Sequence, residues 1–316
     1  MSRLTRAIAI LGTITLLAAC TAGESPSPSA GASEPVASAS AAAPSQEPSE
    51  AAAACTPGSL STVTDGRLTI GTDNPAFPPY WEPPAEGEEA TEPWELGDPY
   101  TQGGFEGAVA WAVATELGFA EDDVDFIPVP FDNSYAPGDK EFDLYLAQVS
   151  YTAERAEQVD MSDGYFFSNQ ALVANADTPI TGVTSLADVA NYRLGAQIGT
   201  TSLAYIETEI QPTTEAMVYN DNTAAIAALD AGQVDGIVVD LPTAFFITAV
   251  QMDNGVVVGQ FPAVGDEQEY FSIVLELDSP LTDCVNEAIA ALVASGELEA
   301  ITEQWMSENA GVPVLE

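Results

Sequence analysis

The chain of 316 residues carries 49 Asp and Glu against 6 Lys and Arg, a formal net charge of −43, and contains no histidine. An acidic excess of this size repels nucleic acid and anionic membrane surfaces, and it bears on solubility, steering and partners rather than on fold. The lack of histidine removes histidine-dependent catalytic triads and the common histidine zinc sites.

At the start, Arg3 and Arg6 precede an apolar stretch over 7–19. This is the layout of a secretory signal, and the stretch is too short to span a bilayer permanently. It ends in Leu17-Ala18-Ala19-Cys20, which resembles the lipobox of bacterial lipoproteins. That resemblance implies removal of residues 1–19, acylation of Cys20 and anchoring at the outer face of the cell membrane, with each buried methylene contributing roughly 0.8 kcal/mol. Residues 21–54 are almost entirely Ser, Ala, Pro, Gly and Glu, with Val36 the only large aliphatic residue. Residues 20–54 therefore read as a disordered tether, because they cannot bury enough apolar surface to fold. At the polyproline rise of ~3.1 Å per residue the tether reaches on the order of 100 Å.

Beyond the tether, Cys55 and Cys284 are an even pair in a compartment that permits disulfides, and they are expected to be bonded. Strand-like runs follow at Leu68-Thr69-Ile70, Val124-Asp125-Phe126-Ile127, Phe142-Asp143-Leu144-Tyr145-Leu146, Tyr192-Arg193-Leu194-Gly195-Ala196 and Gly236-Ile237-Val238-Val239. Helical patterns fall between them. Phe105, Val109, Val113 and Leu117 share one face, closed by Gly118, and a second helix runs from Asn222 through Ala225, Ile226 and Leu229 to Gly232. This alternation predicts α/β units around parallel sheets. The strand–helix–strand pattern occurs twice, which predicts two lobes: 55–166 with 270–316, and 167–269. The crossings, and hinges, are expected at 164–169 and 265–270, and a helical region at 285–306 completes the fold.

Arg155 stands just after a predicted strand and a Ser/Thr-bearing turn, in a chain whose other basic residues beyond the signal are Arg67, Lys140 and Arg193. Its planar fork suits a carboxylate gripped through two hydrogen bonds. By pattern alone, a salt bridge to Glu154 or Asp160 is an equal alternative. Gly199-Thr200-Thr201 opens a predicted helix, as an anion-attracting terminus or as a simple capping turn. Asp240 ends a strongly apolar strand, where open α/β sheets bind ligands, and it also suits a helix N-cap. Phe77 could equally be core.

The segment Thr152-Ala153-Glu154-Arg155, followed by Val159-Asp160-Met161-Ser162-Asp163-Gly164-Tyr165, resembles the family 3 extracellular solute-binding proteins. So do Leu68-Thr69-Ile70-Gly71-Thr72-Asp73 with Ala76-Phe77-Pro78-Pro79-Tyr80, Gly104-Phe105-Glu106-Gly107, Gly195-Ala196-Gln197-Ile198-Gly199-Thr200-Thr201-Ser202 and Val234-Asp235-Gly236-Ile237-Val238-Val239-Asp240-Leu241-Pro242-Thr243. The resemblance implies a two-lobed, type II periplasmic-binding-protein-like ("Venus flytrap") α/β fold. It also implies capture of an amino-acid-like solute for a membrane ABC permease, without cofactor, metal or catalysis, and a monomer is the default expectation for a two-lobed binder that moves. It assigns Arg155 to the ligand carboxylate, assisted by Ser150, Thr200 and Thr201, and Asp240 to the ammonium. Phe77 and Tyr80 become an aromatic wall, and Asp73 a reader of the ligand side chain. Gln148, where many members have a small residue, is expected to touch the ligand or narrow the pocket. Residues 82–101, with Trp94 and Tyr100, form an insertion that is either a lid or a surface loop. The alternatives kept are a dehydratase-type enzyme on the same fold and a ligand-sensing module.

Overall fold

The computed structural model describes residues 55–265, 268–306 and 311–316; the signal segment, Cys20 and the tether, with Asp266 and Glu267 of the second crossing, lie outside the described residues. The first half runs β1 (Leu68–Thr72), α1 (Phe105–Glu116), β2 (Val124–Pro128), α2 (Phe131–Ser134), β3 (Leu144–Tyr145), β4 (Asp160–Met161) and β5 (Phe166–Phe167). Next come β6 (Gln170–Asn175), α3 (Leu186–Val189), β7 (Leu194–Gln197), α4 (Thr201–Tyr205), β8 (Met217–Tyr219), α5 (Asn222–Asp230), β9 (Gly236–Asp240), α6 (Leu241–Phe246) and β10 (Gly255–Gln260). The chain closes with β11 (Tyr270–Phe271), β12 (Val274–Leu275), α7 (Thr282–Ser295) and α8 (Glu297–Met306).

Two five-stranded sheets result, ordered β2-β1-β3-β12-β4 and β10-β6-β9-β7-β8. Each is parallel in its helix-connected part, where β1 pairs β2 and β3, and β7 pairs β8 and β9. Neither is wholly parallel, which corrects the expectation of parallel sheets. β12 runs antiparallel between β3 and β4, and β6 runs antiparallel between β9 and β10. The physical reason is connectivity, since a strand entered directly from a crossing has no helix to carry it back to the same end of the sheet.

In the first lobe, β1 is buried on both faces, and Phe105, Val109 and Val113 of α1 pack with Val285, Ile289 and Leu292 of α7. Burying such a side chain contributes ~1.5–3 kcal/mol. α1 ends at Gly118, whose φ of +82° an L side chain rarely adopts. The C-terminal helical region divides at Gly296, also left-handed, into α7 and α8. Cys55 and Cys284 are disulfide-bonded, so the start of the domain is tied to α7.

The second sheet carries apolar layers on both faces, with Val173, Ile226 and Ile237 in one and Leu172, Leu194, Val238 and Phe261 in the other. The chain end joins this lobe, not the first: Val314 bridges Gln260 and Leu315 is buried beside Phe261. The expected first-lobe placement of 270–316 is thereby corrected for residues 311–316. An amphipathic tail finds more apolar surface against β10 than in solvent. Between the lobes, β5 and β11 pair antiparallel, with Tyr270 opposite Phe167 and Phe271 opposite Phe166.

Candidate functional site

The parallel strands of both sheets end at one cavity of about 430 Å³. β1 delivers Thr72 and Asp73, β2 leads to Pro130 and Phe131, and β3 leads to Gln148 and Ser150. From the other lobe, β7 delivers Gln197 and the Thr200-Thr201 turn, β8 leads to Asn220 and Asp221, and β9 ends in Asp240. Strand carboxyl ends converge here because the βα loops of each sheet share one side.

Arg155 lies in a 3-10 turn, Arg155–Glu157, and is 7% exposed. Nη1 donates to the Ser150 carbonyl at 2.6 Å, and Nη2 crosses to the second lobe, donating to the Gly199 carbonyl at 2.8 Å. Its guanidinium carbon stands 4.6 Å from the Tyr135 ring centroid and 5.6 Å from that of Phe131, a cation–π stack. Among the described residues Arg155 makes no ion pair, so the salt-bridge alternative with Glu154 or Asp160 falls. Two of its five donors serve carbonyls, and Arg155 itself lines the cavity.

Asp240 belongs to a polar cluster. Asp240 Oδ1 and Glu269 Oε2 accept from the same amide nitrogen, Gln170 Nε2, at 2.8 and 3.0 Å. Thr201 donates to Glu269 Oε1 at 2.5 Å and lies 3.4 Å from the Ser150 hydroxyl, again across the lobes. Burial first and then Glu269 push Asp240 up to about 8. Its side chain makes no capping bond to α6, although it occupies the N-cap position. Thr200 does cap α4, accepting from Leu203 N–H at 3.1 Å and donating to the Gln197 carbonyl at 2.8 Å.

Three further acids, Asp73, Asp132 and Asp221, line the cavity. Asp73 is raised to about 6, by burial first, with Asp132 and Asp221 adding repulsion and the Asn74 N–H opposing it. Phe77 and Phe131 supply apolar wall of the cavity, Phe131 beside Arg155. Thr72 is 1% exposed, and its Oγ1 finds no hydrogen-bond partner among the described residues.

Of the expected residues, the fold brings Asp73, Phe77, Gln148, Ser150, Arg155, Thr200, Thr201 and Asp240 to this cavity. Tyr80 is the correction. The turn closed by Tyr80 N–H on the Phe77 carbonyl reverses its direction, so the ring is 1% exposed, edge-on to Phe271, with its hydroxyl 3.1 Å from Thr243 Oγ1. Gln148 lines the cavity, but its side-chain amide is held by Glu106, which also accepts from the Gln148 backbone at 2.6 Å and from the Tyr165 hydroxyl at 2.5 Å. Glu106 is fully buried, and burial pushes it up to about 7.

Sequence reasoning missed Phe131, Asp132, Asn220, Asp221 and Glu269. The 82–101 insertion contributes no residue to the cavity wall among those described. It packs against the first lobe through Trp94 and Tyr100, whose ring stands edge-on to Phe126 at 5.4 Å. It also buttresses the 73–77 loop, since Asn74 donates to the Pro93 carbonyl at 2.8 Å and accepts from Glu95 N–H at 3.0 Å.

This geometry has counterparts among known proteins. The arginine-binding extracellular protein ArtP of Bacillus subtilis is 28% identical over 219 residues, covering 65% of this chain and 78% of that protein. The L-cystine-binding protein TcyJ of Escherichia coli is 27% identical over 215 residues, covering 67% and 77%. Among solved structures, an ancestral arginine-binding protein bound to arginine superposes with a TM-score of 0.60 at 26% identity, covering 76% of this chain and 98% of that one. An ancestral amino-acid-binding protein described as a precursor of cyclohexadienyl dehydratase shares the fold, with a TM-score of 0.59 at 24% identity over 76% and 94%. The sequence model of the bacterial extracellular solute-binding proteins, family 3, matches residues 87–308, and the chain belongs to that family.

Proposed function

We propose that the protein is the lipid-anchored, substrate-binding component of an ABC importer, and that it captures an amino acid with a cationic side chain. The observation that carries this reading is the set of charges lining the cavity: one arginine, Arg155, together with Asp240 and a group of three further acids, Asp73, Asp132 and Asp221. A ligand with one carboxylate and two cationic centres complements that set of charges. Ligand carboxylate meets Arg155, α-ammonium meets Asp240, and the side-chain cation meets the group of Asp73, Asp132 and Asp221, with Phe77 in the same wall. The arginine-binding relatives support this choice of ligand.

Binding favours closure because both lobes contribute, with Ser150 and Arg155 from one and Thr201 and Asp240 from the other. The closed monomer is then read by a membrane permease, while acylated Cys20 and the tether keep the domain at the outer face of the membrane. No covalent step is required, and the relatives named above are binding proteins.

A thermal-shift screen of the domain from residue 55 tests the reading. L-arginine, L-lysine and L-ornithine are expected to raise the melting temperature, since ligand at 100 times its dissociation constant stabilises by ~2.7 kcal/mol. L-glutamate is expected to do nothing. A larger shift with L-glutamate, or none with any amino acid, refutes it.

A further inference from the structure

Asp240 lines the cavity, and Glu269, which lines an adjoining pocket with Gln170 and Thr201, shares the Gln170 amide nitrogen with it. Because Asp240 and Glu269 share one donor nitrogen, their oxygens lie within the roughly 4–6 Å over which charges strongly perturb one another. The surroundings offer little to offset two negative charges. Glu106 on α1 faces Asp240 and adds repulsion, and the Tyr80 and Tyr165 phenols are neutral. Gln170 on β6 and Thr201 on α4 are neutral donors. Arg155 is the one cation facing the pair among the described residues, and two of its N–H groups serve carbonyls. Like charges this close, partly desolvated, favour a shared proton over double ionisation.

We propose that the Asp240–Glu269 pair holds one proton when no ligand is bound and releases it to solvent when a primary ammonium binds, so that Glu269 makes capture an exchange of a cation for a proton. The carboxyl O–H bond breaks, and the pair goes from one negative charge to two as the ammonium adds one positive charge. This deepens the function proposed above and rests on it. Affinity then rises about tenfold per pH unit between the value of the pair with ligand bound and its value without. The elevation of Asp240 to about 8 puts the upper end of that window above neutrality.

The test uses the chain from Cys20 onward with L-arginine as probe, by calorimetry in two buffers of different ionisation enthalpy. Release of about one proton is expected at about pH 6.5, falling toward zero near pH 9, with the release and the pH slope of affinity at least halved in Glu269→Gln. A purely structural Glu269 would alter affinity without moving the proton count. A second measurement needs no ligand: carboxyl NMR should show one group titrating near or above neutrality, Asp240→Asn should abolish that step, and Glu269→Gln should move it to lower pH. No proton release by a protein that binds L-arginine overturns the exchange while leaving the proposed function standing. Absence of binding by any amino acid overturns both. Ordinary carboxylate titration of both groups overturns the shared proton whatever the ligand.

Discussion

Arg155 Nη2 donates to the Gly199 carbonyl at 2.8 Å, so the residue best suited to gripping a ligand carboxylate also joins the two lobes. The same guanidinium bonds the Ser150 carbonyl and stacks on Tyr135, whose hydroxyl donates to that same Gly199 oxygen at 3.3 Å. Ligand capture and lobe contact thus draw on one planar cation. A ligand that engages its remaining donors strengthens an arrangement already supported by the protein, which is preorganisation.

Arg155→Lys tests the fork. A lysine keeps the charge but cannot reach both carbonyls and a carboxylate in one plane. Hydrogen bonds to charged groups contribute about 1.5–3 kcal/mol, so the dissociation constant for L-arginine should rise roughly ten- to hundredfold. Calorimetry on the folded variant checks this. Unchanged affinity would mean that Arg155 acts as a bulk charge alone.

Gly199→Ala tests the lobe contact. Gly199 has φ of +72°, and a Cβ there would stand 2.3 Å from the Tyr135 hydroxyl oxygen. The alanine must move the ring off Arg155 as well as tolerate the left-handed backbone, a combined cost of about 1–3 kcal/mol. Adding Tyr135→Phe removes the clashing atom, and the next ring atom lies 3.6 Å away, an ordinary contact. The double variant should therefore recover part of the stability and of the L-arginine affinity, a coupling that a double-mutant cycle measures. Strict additivity would place the strain elsewhere.

How far this site is legible in the sequence depends on where each residue's signal lies. Helix α1 is legible because Phe105, Val109 and Val113 recur every four residues and Gly118 stops it. Arg155 and Asp240 are legible because scarcity marks the first and an apolar strand end marks the second. Phe131 and Asp132 sit in a four-residue helix with no periodicity to announce it, and Asn220-Asp221 resembles any polar turn. Glu269 reads as one acid among 49, and only the antiparallel return of the chain through β11 brings it to Asp240. Tyr80 fails for the opposite reason. An aromatic beside a binding motif reads as wall, but one turn of backbone sends it into the core.

Glu106 should leave a signature in stability against pH. Its folded-state value of about 7 lies above the ordinary 4.5, so the folded state binds this proton more tightly than the unfolded chain. The penalty is therefore absent below 4.5, grows as pH climbs to about 7, and is constant above that. Urea unfolding from about pH 4.5 to 8 should show the wild-type protein losing roughly a few kcal/mol relative to Glu106→Gln as pH rises through that window. Asp73 and Asp240 slope in the same direction, so the difference between the two proteins, not either curve alone, carries the result. Parallel curves would mean that the bonds from Gln148 and Tyr165 hold Glu106 ionised throughout.

Thr72→Val separates what the protein needs from what a ligand needs. The Thr72 hydroxyl is buried at the end of β1, borders the cavity and finds no partner among the described residues. An unsatisfied buried hydroxyl costs about 1–3 kcal/mol, so an isosteric methyl should leave the protein without ligand as stable or more stable. If an amino acid bound in the cavity supplies the missing partner, the same change must weaken binding by about tenfold, roughly 1.4 kcal/mol. The two effects have opposite signs, which no general loosening of the fold can produce. Melting temperatures with and without L-arginine should therefore show a smaller ligand-induced shift rising from an equal or higher baseline. A lowered baseline would assign the hydroxyl a structural partner, and an undiminished shift would remove Thr72 from the ligand's reach.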